Sequence, residues 1–136
     1  MARPNKRVAL IGGVARYERS SGFSPLPSVV DDVSYLAEAL TTKVREPYEL
    51  YEGRALLDDE MTQALLKRYL TELKTPNEID ELFIYLTGHG TDSKGDGTPY
   101  FVTFGSTPSA PGMGLDKLIY HLKQVKVRVK ILVLDF

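Results

Sequence analysis

An α/β fold, with a mostly parallel sheet and helices on both faces, is predicted by three features of the sequence. Short runs dense in branched apolar residues, "RVALIGGV" at 7 to 14, "DELFIYL" at 80 to 86 and "VRVKILVLDF" at 127 to 136, read as strands buried within a sheet. Between them lie segments whose apolar residues recur every three or four positions, the mark of an amphipathic helix. Glycine, proline and polar clusters punctuate the joins. Strands alternating with such helices close into a parallel sheet through right-handed crossovers.

The elements follow in order. The first strand, 7 to 14, is closed by glycines and leads into a polar loop, "ARYERSSGFSPLP". Ser28 stands where a helix cap belongs, with Asp31 three residues on. Val29, Val33, Leu36, Ala37 and Leu40 then fall at helical spacing, so a helix is expected over 29 to 42. "EPYELYEG" reads as a second strand ended by Gly53. Asp58 is placed to cap a helix bearing Met61, Leu65, Tyr69 and Leu73 on one stripe, stopped at Pro76 and Asn77. After the third strand, "TPYFVTFG" reads as a short β element following the "SKGDG" turn. Leu115, Leu118, Ile119, Leu122 and Val125 mark another helix. The last run alternates and then becomes continuously apolar, the pattern of a strand entering the middle of a sheet.

At 136 residues, without repeats or a linker-like stretch, the chain is expected to form one domain, 1 to 136. A net charge of -1 lacks the basic footprint of general nucleic-acid or acidic-lipid binding. No stretch approaches the roughly 20 apolar residues of a membrane span, and the start has no convincing signal peptide, so a cytoplasmic setting is expected. The chain has no cysteine, which removes disulfides and thiolate metal sites from consideration.

In open parallel sheets, ligands bind beyond the carboxyl ends of the strands. Three polar candidates fall there: the loop after "LIGG", the turn "TGHGTD", and Asp135. His89 sits between Gly88 and Gly90, which permit unusual backbone angles and leave the imidazole and nearby amides accessible.

The order "VALIGG", a helix opening with an acidic pair, "LFIYLTGHG" and then "KILVLDF" resembles the large-subunit portion of caspase-like cysteine peptidases, the clan of caspases, metacaspases and bacterial orthocaspases. The resemblance covers nearly the whole chain. It implies a three-layer caspase-like fold, incomplete at its C-terminal side. In that family a strand ends in Ser/Gly-His-Gly with the catalytic histidine, and a later strand ends in Asp-x-Cys or a related tripeptide with the nucleophile. "TGHG" matches the first, and "LDF" stops one residue short of the second. The position after Phe136 stands near the His-to-Cys spacing of about 50 residues seen in caspases. The natural protein is therefore expected to continue with a cysteine; a reading frame with none in the next few residues would overturn this.

By the same resemblance, His89 would favour the thiolate and later protonate the leaving amine. The backbone amide of Gly90 would donate one hydrogen bond to the oxyanion, and the cysteine's own amide another. That cycle requires no metal or organic cofactor. Caspases proper bind an aspartate before the cut with arginines, one from a stretch that here reads "SPLPSVVDD" and has no arginine. Metacaspases and orthocaspases bind arginine or lysine with two acidic residues. Asp32 matches the first, and Asp135 the second, so a basic preference is implied. "DDV" replaces the family's Asn-Asp-Ala, and Asp31 stays an alternative to Asp32, with helix capping as its other reading. The expected partners are a protein or peptide substrate, and a small-subunit-like portion or partner chain that completes the sheet.

Other motifs carry less. Asp92 and Asp96 lack an EF-hand's intervening ligand, since Lys94 stands there, and read as a polar turn. "GGVARY" has neither G-x-G-x-x-G nor a P-loop lysine. "KQVKVRVK" reads as a solvated face, and His121 receives no role. The competing function is a non-catalytic module, either an inactive caspase-like domain or a receiver-like one. A receiver wants its acidic pair directly after the first strand, and Asp31 and Asp32 come too late.

Overall fold

A computed structural model describes residues 5–92 and 95–136. The central strand is β1 (Arg7–Gly13), whose Val8 and Leu10 face one side of the sheet and Ala9 and Ile11 the other, all buried. It pairs in parallel with β2 (Glu49–Leu50) and β3 (Leu56–Leu57) on one edge, and with β4 (Glu81–Thr87) on the other. Strand β8 (Val129–Asp135) adds to β4, giving the order β2-β1-β4-β8. Register places Gly13 beside Thr87, and Thr87 beside Asp135, in one row at the carboxyl edge.

Helices cover both faces. Helix α1 (Ser28–Glu38) lays Val29, Val33 and Ala37 over Ala9 and Ile11. Its approach is close: a methyl group on Gly13 would stand 2.6 Å from the Val29 side chain, so glycine is required there by room. The other face carries α2 (Gln63–Lys74) and α3 (Leu115–Lys123), whose Leu66, Leu70, Leu73, Leu118 and Leu122 share one core with Leu10, Leu82, Ile84 and Leu86. Beside the main sheet, β5 (Gly90–Thr91), β6 (Tyr100–Thr107) and β7 (Ala110–Gly114) form a small antiparallel sheet that adds Phe101 and Met113 to that core.

Several expectations need correction. Ser28 lies inside α1, which starts from Pro27 without a side-chain cap; the turn bonds from Val29 and Val30 to Leu26 and Pro27 occupy the first donors instead. The helix then widens into a π turn over Ala39–Lys43, where the Thr41 and Thr42 hydroxyls bond back to the Ala37 and Glu38 carbonyls. The second strand is only two residues long, because Tyr51–Gly53 curls into a 3-10 turn with Glu52 at φ 61°. Asp58 does not cap α2. Thr62 does, accepting from the Leu65 amide at 3.1 Å. Ile119 is exposed on α3. The last strand, β8, lies outside β4 and not in the middle of the sheet; Ile131 and Val133 are 37% and 39% exposed, and no described residue pairs with its outer edge. Of the "SKGDG" turn, Ser93 and Lys94 lie outside the described residues. No helix among the described residues is long and apolar enough to cross a membrane.

The edge far from the candidate site is tied by a polar cluster. Glu81 accepts from Arg7 at 2.7 and 3.0 Å and from the Tyr48 hydroxyl, while the Arg7 guanidinium lies 4.1 Å from the centre of the Tyr48 ring. The Tyr48 hydroxyl, and then Arg7, hold the Glu81 carboxyl below its ordinary range against the cost of burial. A depressed folded value means that this contribution is complete above the unfolded pKa of about 4.3 and fades as pH falls through the folded value. Urea midpoints measured between about pH 3 and 6 should therefore fall more steeply toward acid in the protein than in Glu81→Gln; parallel profiles would overturn this.

Candidate active site

Three strand ends meet at the carboxyl edge. Beyond Gly13 the chain stays alongside β4, with the Val14 amide donating to the Thr87 carbonyl, and the Gly88 amide donates across to Asp135. This row places the loop after β1, the Gly88-His89-Gly90 turn and the end of β8 side by side.

His89 is held from several directions. Its backbone N–H donates to the Tyr17 hydroxyl at 2.9 Å, and its carbonyl accepts from the Val102 amide at 2.9 Å. The Tyr17 hydroxyl donates onward to the Val102 carbonyl at 3.3 Å. Burial, opposed by the His89 N–H and aided by the charge of Asp58, pushes the Tyr17 phenol up to about 12, so it stays neutral at ordinary pH. The imidazole sits between the rings of Tyr17 and Phe23, with centroids 5.0 and 5.4 Å away. Its Nε2 lies 2.8 Å from the Ser24 carbonyl. A carbonyl only accepts, so Nε2 carries a proton, which in the neutral ring leaves the lone pair on Nδ1.

The flanking glycines meet different demands: Gly88, at φ 157°, supplies backbone freedom, and Gly90 supplies space. Gly90 is not among the positive-φ residues, and a methyl there would strike the Phe136 ring at 2.8 Å and its carbonyl carbon at 3.0 Å. A methyl on Gly88 would lie 2.8 Å from the Tyr17 hydroxyl. The main chain leaving β8 thus runs directly against the turn that carries His89.

Of the acidic candidates, Asp135 reaches Tyr85. The Tyr85 hydroxyl donates to Asp135 Oδ2 at 3.2 Å, and the Thr87 hydroxyl lies 3.5 Å from the same oxygen. Burial raises the Tyr85 phenol pKa, and the charges of Asp135 and Asp32 raise it further against the Thr87 hydrogen bond. Asp31 makes no side-chain cap at the start of α1. Both Asp32 and Asp135 are exposed, and among the described residues neither is in an ion pair. Asp92 and Asp96 belong to no metal-binding cluster among the described residues.

Sequence reasoning missed Tyr17, Phe23, Ser24, Asp58 and Tyr85. Two aromatics inside the polar loop after β1 were the available signal; the Ser24 contribution is a backbone carbonyl and leaves none. Tyr17→Phe removes the acceptor for the His89 N–H. In the proposed enzyme it is expected to lower kcat by about tenfold, in line with 1–3 kcal/mol for an amide left unpaired, with KM little changed. Steady-state kinetics of the variant would check the split.

Comparison of the chain with known protein-family models finds no match, and no curated protein matches it significantly.

Proposed function

We propose that the protein is a caspase-like cysteine endopeptidase that cleaves after arginine or lysine. The observation that carries this reading is one sheet edge where a histidine in its Nε2–H form, the end of β8 packed on Gly90, and the Asp135 carboxylate bonded to Tyr85 come together. A cysteine following Phe136 would enter beside the His89–Gly90 turn. Its thiol proton passes to Nδ1 of His89, the thiolate attacks the scissile carbonyl, and the Gly90 N–H donates to the oxyanion. The imidazolium then returns its proton to the departing amine, and water hydrolyses the acyl-enzyme by the same route in reverse. Asp32 and Asp135 hold the guanidinium or ammonium before the cut through charge-assisted hydrogen bonds. The 136-residue chain has no cysteine and is expected to be inactive alone. The free outer edge and exposed apolar residues of β8 suit a small-subunit-like portion or partner chain that continues the sheet in the cytoplasm. The isolated chain is accordingly expected to self-associate or unfold without cooperativity; a monomer with a single sharp unfolding transition would count against that role for the edge.

The test uses the natural protein and paired fluorogenic peptides with arginine or aspartate before the cut. Only the arginine peptide should turn over, and Asp32→Asn or Asp135→Asn should each lower kcat/KM on it by about 10- to 100-fold, the scale of one charged hydrogen bond. Equal cleavage of both peptides would overturn the acidic pocket. The lack of any cysteine favours a second reading, a catalytically inactive caspase-like module that regulates or binds a partner; a folded natural protein that cleaves neither peptide would support it.

A further inference from the structure

A concavity of about 460 Å³ lies between α2 and α3 and uses none of the active-site candidates. Its volume falls in the range of small-molecule sites, roughly 300–1,000 Å³. One wall is a stripe of α2, with Gln63, Lys67 and Thr71 at four-residue spacing; the other is α3, with Lys117, Tyr120 and His121. The floor is backbone, Gly112 to Gly114 of β7, where any side chain at Gly112 would collide with the Phe101 carbonyl.

The charges of this cleft are sorted. Lys74 donates to His121 Nδ1 at 2.6 Å, so that nitrogen is an unprotonated acceptor and the neutral ring bears its proton on Nε2. Burial, then Lys74, Lys67 and Lys117, keep His121 below the ordinary histidine range, which places three ammonium groups around one imidazole. The one acid among the described lining residues, Asp116, is at the Tyr100 end. The Tyr100 hydroxyl donates to Asp96 at 3.3 Å, and Asp116, whose Oδ1 accepts from the Lys117 amide, also acts on it. Tyr120, 61% exposed, and Tyr100 supply flat apolar surface along the cleft.

We infer that this cleft binds a small organic phosphate bearing a flat ring with N–H donors, of the nucleoside monophosphate class. The phosphate lies among Lys67, Lys117 and His121 Nε2–H, where two ammonium groups and one neutral N–H match its oxygens, and the ring lies along the tyrosines with its N–H groups toward Asp116. Neither a bare anion nor an uncharged nucleoside uses both ends. This inference stands apart from the proteolytic reading, because it shares no residue with it.

Adenosine monophosphate, inorganic phosphate and adenosine are the probes, titrated at constant ionic strength into the ¹⁵N-labelled protein. The amides of Gly112, Gly114 and Lys117 should shift together with a Kd near or below about 1 mM for the monophosphate, and each other probe should bind at least about tenfold more weakly. The Lys67→Ala, Lys117→Ala double variant changes two exposed side chains; its unperturbed spectrum would certify folding, and its affinity should drop at least about tenfold. Absence of these shifts up to about 10 mM, equal binding of inorganic phosphate, or unchanged affinity in the folded double variant would each overturn the assignment.

Discussion

His89→Ala in the natural full-length protein is expected to lower kcat/KM on an arginine reporter by at least about 1,000-fold while leaving the thermal midpoint within a few degrees. Two proton transfers depend on this one ring. Without it the thiol stays largely protonated at neutral pH, and the peptide nitrogen, a poor leaving group, departs without an acid. The structural cost is small because the imidazole is only half-buried and meets the Tyr17 and Phe23 rings and one carbonyl. The two readouts separate a chemical role from a packing one. Loss of activity together with loss of stability would make His89 a structural residue, and wild-type turnover by the variant would end the proteolytic proposal.

The parallel sheet was legible because its strongest strands, β1 and β4, are long apolar runs, and because α1, α2 and α3 each carry a clear stripe. The short pieces were not. Leu56–Leu57 and Glu49–Leu50 are strands only because β1 offers free ladder positions to them, and "APGMG" becomes β7 despite its proline and glycines because β6 turns back on it. The same limit applies to the site. His89 and Asp135 were singled out by their place at strand ends and Gly90 by the family resemblance, whereas Tyr17 and Ser24 reach His89 over 72 and 65 residues of chain, and no local spacing encodes such a contact. Asp58 shows how a local signal misleads. An aspartate shortly before a helix is a reasonable cap, yet a long-range demand for its oxygens prevails.

That demand gives the second large effect. Asp58→Ala is expected to destabilise the fold by about 2–4 kcal/mol, read from urea unfolding, with Asp58→Asn costing roughly 1 kcal/mol or less. Oδ1 of Asp58 accepts from the amides of Ala15 and Arg16, each at 2.9 Å, and Oδ2 meets the Arg16 guanidinium at 3.1 Å. Ala15 is buried, so its amide has no ready substitute in water. The residue also sits at φ 53°, a left-handed conformation that aspartate and asparagine tolerate and alanine does not share at equal cost. Arg16 is mostly exposed, and its ion pair contributes little of the total. Burial would raise the Asp58 pKa, but the two amides and then Arg16 overcome it and the net direction is down. Its contribution is therefore present above the unfolded value of about 3.9 and lost as pH falls through the folded one. Because Ala15 and Arg16 lead directly into Tyr17, the alanine variant should also loosen the hydroxyl that holds His89. It is expected to lose turnover beyond its loss of folded population, while the asparagine variant keeps both. Equal stability of the two variants would overturn this account, because both the amides that Oδ1 accepts and the left-handed turn favour asparagine over alanine.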